Sequence, residues 1–117
     1  MKYTIPGVPP SLNKFAGRGN TWEYREKKNM WKNLVALCCR PRPDIPPDRA
    51  EVTIRYYFPD ERRRDPDNYC GKMILDGLTA AGMIADDDFC HIDLTIRRGG
   101  VDPENPRTEV EIVEIGE

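Results

Sequence analysis

The chain has no apolar run near the roughly eighteen residues of a membrane-spanning helix, and its first residues lack the form of a secretory signal. A cytoplasmic protein with no membrane partner is therefore expected. It has a single histidine, His91, and no CxxC pair among its four cysteines, Cys38, Cys39, Cys70 and Cys90. A zinc site lacks its usual ligand spacing, and reduced core or bystander thiols are expected instead. A basic excess is missing too: 18 Lys and Arg against 20 Asp and Glu leave a net charge of −2. Binding to nucleic acid through overall charge is disfavoured, so any such binding must rest on local patches. There is no internal repeat and no low-complexity tail. The 117 residues, 38% apolar and 32% charged, read as a single domain over 1–117 with one modest core.

Charge is unevenly placed. Basic residues gather in 14–32 and 62–64, and acids in 86–88 and 102–117. Residues 2–5 read as a first strand ended by Pro6-Gly7. A loop rich in turn residues follows to Asn20, carrying Asn13 and Lys14. Thr21 is placed to cap a helix over about 22–39, with Trp31, Leu34, Val35 and Cys38 on its core side and Arg25, Lys28 and Lys32 on another. That basic side is either a solvated face or a surface for DNA phosphate. After a proline-rich link, Val52, Ile54, Tyr56 and Phe58 share one face of a strand over 51–58. Asp67 or Asn68 then caps a second helix, about 69–81, stopped by Gly82. A strand with Ile92, Leu94 and Ile96 facing in, and a last strand over 108–115 with Val110 and Ile112 facing in, complete the chain. The fold class is α/β (α+β): a small mixed sheet with two main helices, in the order β-α-β-α-β-β.

Arg62-Arg63-Arg64-Asp65-Pro66-Asp67-Asn68 stands out against this frame. Like-charged neighbours repel and buried carboxylates are costly, so folding alone has little use for the cluster. Two carboxylates on an extended backbone that Pro66 stiffens suit a hard divalent cation such as Mg2+, with the arginines beside it where a phosphodiester would lie. A solvated turn before a helix is the plain alternative. Asp86-Asp87-Asp88 offers further carboxylates at the start of the next strand. Antiparallel pairing of that strand with 51–58 would bring Asp86 or Asp87 beside Asp65 and Asp67. Lys72 lies on the helix between, four residues before Asp76, with which it can form an ion pair. Converging carboxylates and a lysine describe a metal-dependent phosphodiesterase site, in which the metal lowers the pKa of a bound water and stabilises charge on the phosphorane.

The run 62–68, then Lys72-x-x-x-Asp76-x-Leu78, Ala81-Gly82 and Asp86-Asp87, resembles the RusA-type Holliday-junction resolvases, and Pro9-Pro10-Ser11-Leu12-Asn13 is similar to that family's N-terminal loop. The resemblance covers most of the chain in order. It implies a homodimeric, often prophage-encoded nuclease that binds four-way DNA junctions and cuts opposing strands with Mg2+, in DNA recombination and repair. It implies Asp65, Asp67 and Asp87 as metal ligands, Asp86 as the neighbouring acid, Lys72 as the active-site lysine and Arg64 as the basic residue before the first aspartate. Arg62, Arg63, Arg64, Asn13, Lys14 and Lys28 are the candidate DNA contacts. The chain departs from the family pattern by one extra residue between Asn68 and Lys72, a third acid at Asp88 and an acidic pI near 5.5. Two other functional readings stay beside this one: a binder of junctions or other DNA that kept the fold without cutting, and a nuclease for other branched DNA.

Overall fold

A computed structural model describes residues 1–15 and 21–116, with the side chains of Asn13 and Phe15 outside the description. Strands β1 (Lys2–Pro6), β2 (Ala50–Phe58), β3 (Ile92–Val101) and β4 (Arg107–Glu114) form one sheet in the order β1-β4-β2-β3. Helices α1 (Thr21–Cys38) and α2 (Lys72–Ala80) pack against each other, and α2 links β2 to β3. The element order is the one expected. The loop read for residues 9–20 contains a short 3-10 turn at Leu12–Phe15, closed by Lys14 N–H donating to the Ser11 carbonyl at 3.1 Å. No helix among the described residues is long and apolar enough to cross a membrane.

The alternation read in β2 sets the core. Val52, Ile54, Tyr56 and Phe58 are all buried on one face, alongside Val35, Ile74, Leu78 and Ile84 from the helical side. Side chains of this size contribute roughly 1.5–3 kcal/mol each when fully buried. Val110 and Ile112 of β4 are buried as expected, and so is Ile92. Leu94 is not: it stays 39% exposed, because β3 is an edge strand that the helices cover only in part. Close approach of α1 and α2 depends on Gly77, where an added Cβ would stand 2.8 Å from Val35 Cβ.

Two corrections bear on the site. First, β3 runs parallel to β2, pairing Ala50 with Ile92 and Ile54 with Ile96; the antiparallel partner of β2 is β4. A helix between two neighbouring strands is a crossover, and a crossover returns the chain in the same direction. Asp86–Asp88 therefore precede the end of the sheet where β2 begins, whereas 59–68 follow the end where it finishes. Second, α2 begins at Lys72 and neither Asp67 nor Asn68 caps it. Pro66–Asn68 form a separate 3-10 turn, preceded by Asp65 in extended conformation (φ −99°, ψ 135°). Tyr69 leaves helical geometry to lay its ring against Phe58 and Tyr56, with centroids 5.3 and 5.9 Å away. The helix restarts from Gly71, whose φ of +83° other residues adopt only with strain. At its far end, Met83 N–H donates to the Leu78 carbonyl at 2.9 Å and Gly82 closes the helix, as expected.

Candidate active site

The segment after β2 is held by Arg64. Its guanidinium donates to Asp60 Oδ1 at 2.8 Å, to the Asp60 carbonyl at 2.9 Å and to the Arg62 carbonyl at 3.2 Å, and lies 4.4 Å from the centre of the Phe58 ring. Asp60 is held below the usual carboxylate range, chiefly by the Arg62 backbone N–H and then by the Arg64 side chain. Arg64 is thus folded inward, 14% exposed, while Arg62 and Arg63 stand out at 76% and 88%. Asp60 was not singled out in the sequence; the signal was an acid four residues before an arginine at the end of a strand.

Asp65 and Asp67 sit on this segment at the surface. Arg63 Nε stands 3.2 Å from Asp65 Oδ1, and Asp67 is exposed, with no ion pair or hydrogen bond from its carboxylate among the described residues. Rigid extended backbone at Asp65, Pro66 next to it and two outward carboxylates fit a hard divalent cation that keeps several of its waters.

Lys72 forms the pair expected with Asp76, Nζ to Oδ1 at 3.4 Å. Lys28 of α1 reaches the other oxygen of the same carboxylate, also at 3.4 Å, as an ion pair without hydrogen-bond geometry. Asp76 thus gathers two of the candidate cations. The Lys72 ammonium is pushed above its ordinary pKa, first by the charge of Asp76, with Asp87 and Tyr24 adding to it. Lys14 stands 3.2 Å from Glu23, while the side chain of Asn13, the other candidate contact on this loop, lies outside the described residues.

The acidic loop before β3 has a different character. Asp86, Asp88 and His91 place one ligand atom each within 4.8 Å of one another, the one such trio of His, Cys, Asp or Glu among the described residues. Asp65, Asp67 and Asp87 do not form a trio that tight among the described residues. His91 Nδ1 pairs with Asp88, and that hydrogen bond is the main cause that raises the His91 pKa and lowers the Asp88 pKa. Phe89 is 98% exposed beside them.

A small α/β fold with a carboxylate pair and arginines after its central strand, and a lysine at the start of the next helix, has the elements of a nucleic-acid-processing enzyme. Comparison with known proteins makes this specific. The family described as "Endodeoxyribonuclease RusA" matches residues 6–113, and the chain belongs to it. It is 32% identical over 120 residues to proteins named "Crossover junction endodeoxyribonuclease RusA" in Escherichia coli (strain K12) and Shigella sonnei (strain Ss046), and equally to one in Enterobacteria phage 82. Each alignment spans 97% of this chain and 93% of the relative.

Proposed function

We propose that this chain is a Mg2+-dependent endodeoxyribonuclease that resolves four-way DNA junctions by paired strand cuts, in recombination and repair. The observation that carries the reading is the pair Asp65 and Asp67, held on a rigid turn between exposed arginines and Lys72, in a chain of the RusA family. Asp65, Asp67 and Asp87 hold the cation, with Asp86 beside them. When bound, Mg2+ supplies Lewis acidity at the phosphate and lowers the pKa of water.

The protein's own residues do the rest. Arg62 and Arg63, with Lys14 and Lys28, meet the DNA backbone and set its register. Asn13 is placed in the same substrate loop. Lys72, fully protonated at neutral pH, faces the non-bridging oxygens or the leaving group, and Asp76 fixes its position. Arg64 acts through Asp60 and Phe58, keeping the turn that carries Asp65 in place. Two strands related by two-fold symmetry need two sites, hence a homodimer. Asp87 leads into the start of β3, beside the start of β2, whereas Asp65 and Asp67 follow the end of β2, which supports a site that draws Asp87 from a second copy.

The test is cutting of a synthetic four-way junction by wild type and Asp67→Asn, in Mg2+ and then in EDTA. Wild type should cut only with Mg2+, and the variant should lose at least about 100-fold in rate. Equal cutting by the two proteins would sink the assignment.

A further inference from the structure

Beside Asp65 lies a cavity of about 180 Å³ that nothing above requires. Its floor is aromatic and aliphatic: Tyr56 and Phe58 from β2, Tyr69 from the turn before α2, and Ile96 from β3. The three rings meet at tilted or edge-on angles, with centroids 5.3–6.0 Å apart, so they are fixed by one another. The rim is charged, with Arg97 and Arg98 exposed on β3, and Arg62 with Asp60 and Glu61 opposite. A second, more polar hollow of about 340 Å³ adjoins it, lined by Ser11, Arg63 and Asn68. Both hollows share Arg62, Arg64, Asp65 and Tyr69.

An apolar slot next to a basic hollow, with a candidate metal-binding aspartate on the boundary, matches the two halves of a nucleotide. We infer that the cavity takes one unstacked base of the DNA, whose own phosphate lies in the adjoining hollow across Asp65. The size agrees, since a cavity of about 150 Å³ accepts a benzene ring, and a base pair is far larger. The chemistry agrees as well: bases unstacked from a strand are held on aromatic faces and beside arginine planes, and this costs least where pairing is already disturbed, as at a branch point. Such a pocket selects branched over continuous duplex DNA, because only the former presents a base at low cost. The inference rests on the nuclease reading for its substrate.

The test uses a synthetic four-way junction carrying 2-aminopurine at one nucleotide at a time around the crossover, bound in Ca2+ by the full-length Asp67→Asn protein. Emission should rise severalfold at one flanking nucleotide and stay unchanged on the distant arms. Tyr69→Ala, which removes one wall, and Ile96→Phe, which fills the slot from a half-buried position, should each abolish that rise, while Tyr69→Phe keeps it. Should Tyr69→Ala fail to fold, Ile96→Phe alone decides. No response at any flanking nucleotide, or a response that survives the filled slot, overturns the pocket. Cutting by wild type in Mg2+ is read separately. A junction that is cut while every 2-aminopurine stays silent rejects the pocket and keeps the nuclease; a responsive base without cutting does the reverse.

Discussion

The segment 59–71 and the segment 82–91 both carry exposed aspartates, but the protein builds them differently. The first is packed: Arg64 is locked to Asp60 and laid over Phe58, Tyr69 is wedged against Tyr56, and Gly71 joins the turn to α2. The second is open, with Phe89 almost wholly exposed and Asp86, Asp87 and Asp88 held by little besides His91 and nearby backbone N–H groups. The turn that carries Asp65 and Asp67 is fixed by its neighbours; the loop that carries Asp86–Asp88 is not packed in this way. A ligand that coordinates must be oriented by its neighbours, and on the proposed reading a second copy supplies that neighbour to the open segment.

The strongest way to break this comparison is complementation. Asp67→Asn and Asp87→Asn should each be inactive on a junction in Mg2+. Mixed after co-refolding, they should regain cutting at one strand of the junction, since one of the two shared sites is then intact. A mixture as dead as its components would mean that each site is built within one chain.

A second test asks whether the packed segment depends on the helices beneath it. Gly77→Val forces new atoms into Val35, and such overpacking costs about 1–3 kcal/mol. The melting temperature should fall by several degrees, and junction cutting should fall with it, because α2 carries Lys72. A melting temperature within error of wild type would show that α1 and α2 can part without harm.

These two tests also mark how far the sequence could be read. Periodicity gave the inward face of β2 without error, because both neighbours of that strand are present and every second residue is buried in the core. The same reasoning failed at Leu94, since alternation reports a face and cannot say whether anything covers it. The direction of β3 was open to inference from the helix between two strands, since a helical crossover is the usual link of a parallel pair and an antiparallel pair can be joined by a short turn. The aspartate pair was legible because Pro66 and the adjacent arginines are local in sequence. Asp60, Asp76 and the aromatic slot were not, since each depends on residues brought together by the sheet and by the contact of α1 with α2.

Asp76 gives a finer test. Both its partners are surface lysines, half-exposed at 50% for Lys72 and 41% for Lys28, so the pairs contribute no more than about 1 kcal/mol. Asp76→Asn should therefore leave the melting temperature nearly unchanged yet slow junction cutting about tenfold, as Lys72 loses its fixed position. A variant with unaltered rate would return Lys72 and Asp76 to a purely surface role.

The smallest effect concerns the open segment. His91 has its pKa raised by the hydrogen bond to Asp88, and Asp88 has its own lowered by the same bond. For a group whose folded pKa is raised, the stabilisation is complete below its unfolded value, about 6.5, and disappears as pH rises through the folded value. For Asp88, with a lowered pKa, it is present above the ordinary carboxylate value and is lost on acidification. The pair is therefore strongest in the window between the two, under mildly acidic conditions. An NMR titration of the single imidazole should give a midpoint above 6.5, and Asp88→Asn should bring it back down. If Mg2+ is held by this segment, adding it should lower the His91 midpoint in wild type, because a cation among Asp86–Asp88 opposes the imidazolium charge. An unmoved midpoint would confine the cation to Asp65 and Asp67, and would separate the two segments in function as they are already separated in structure.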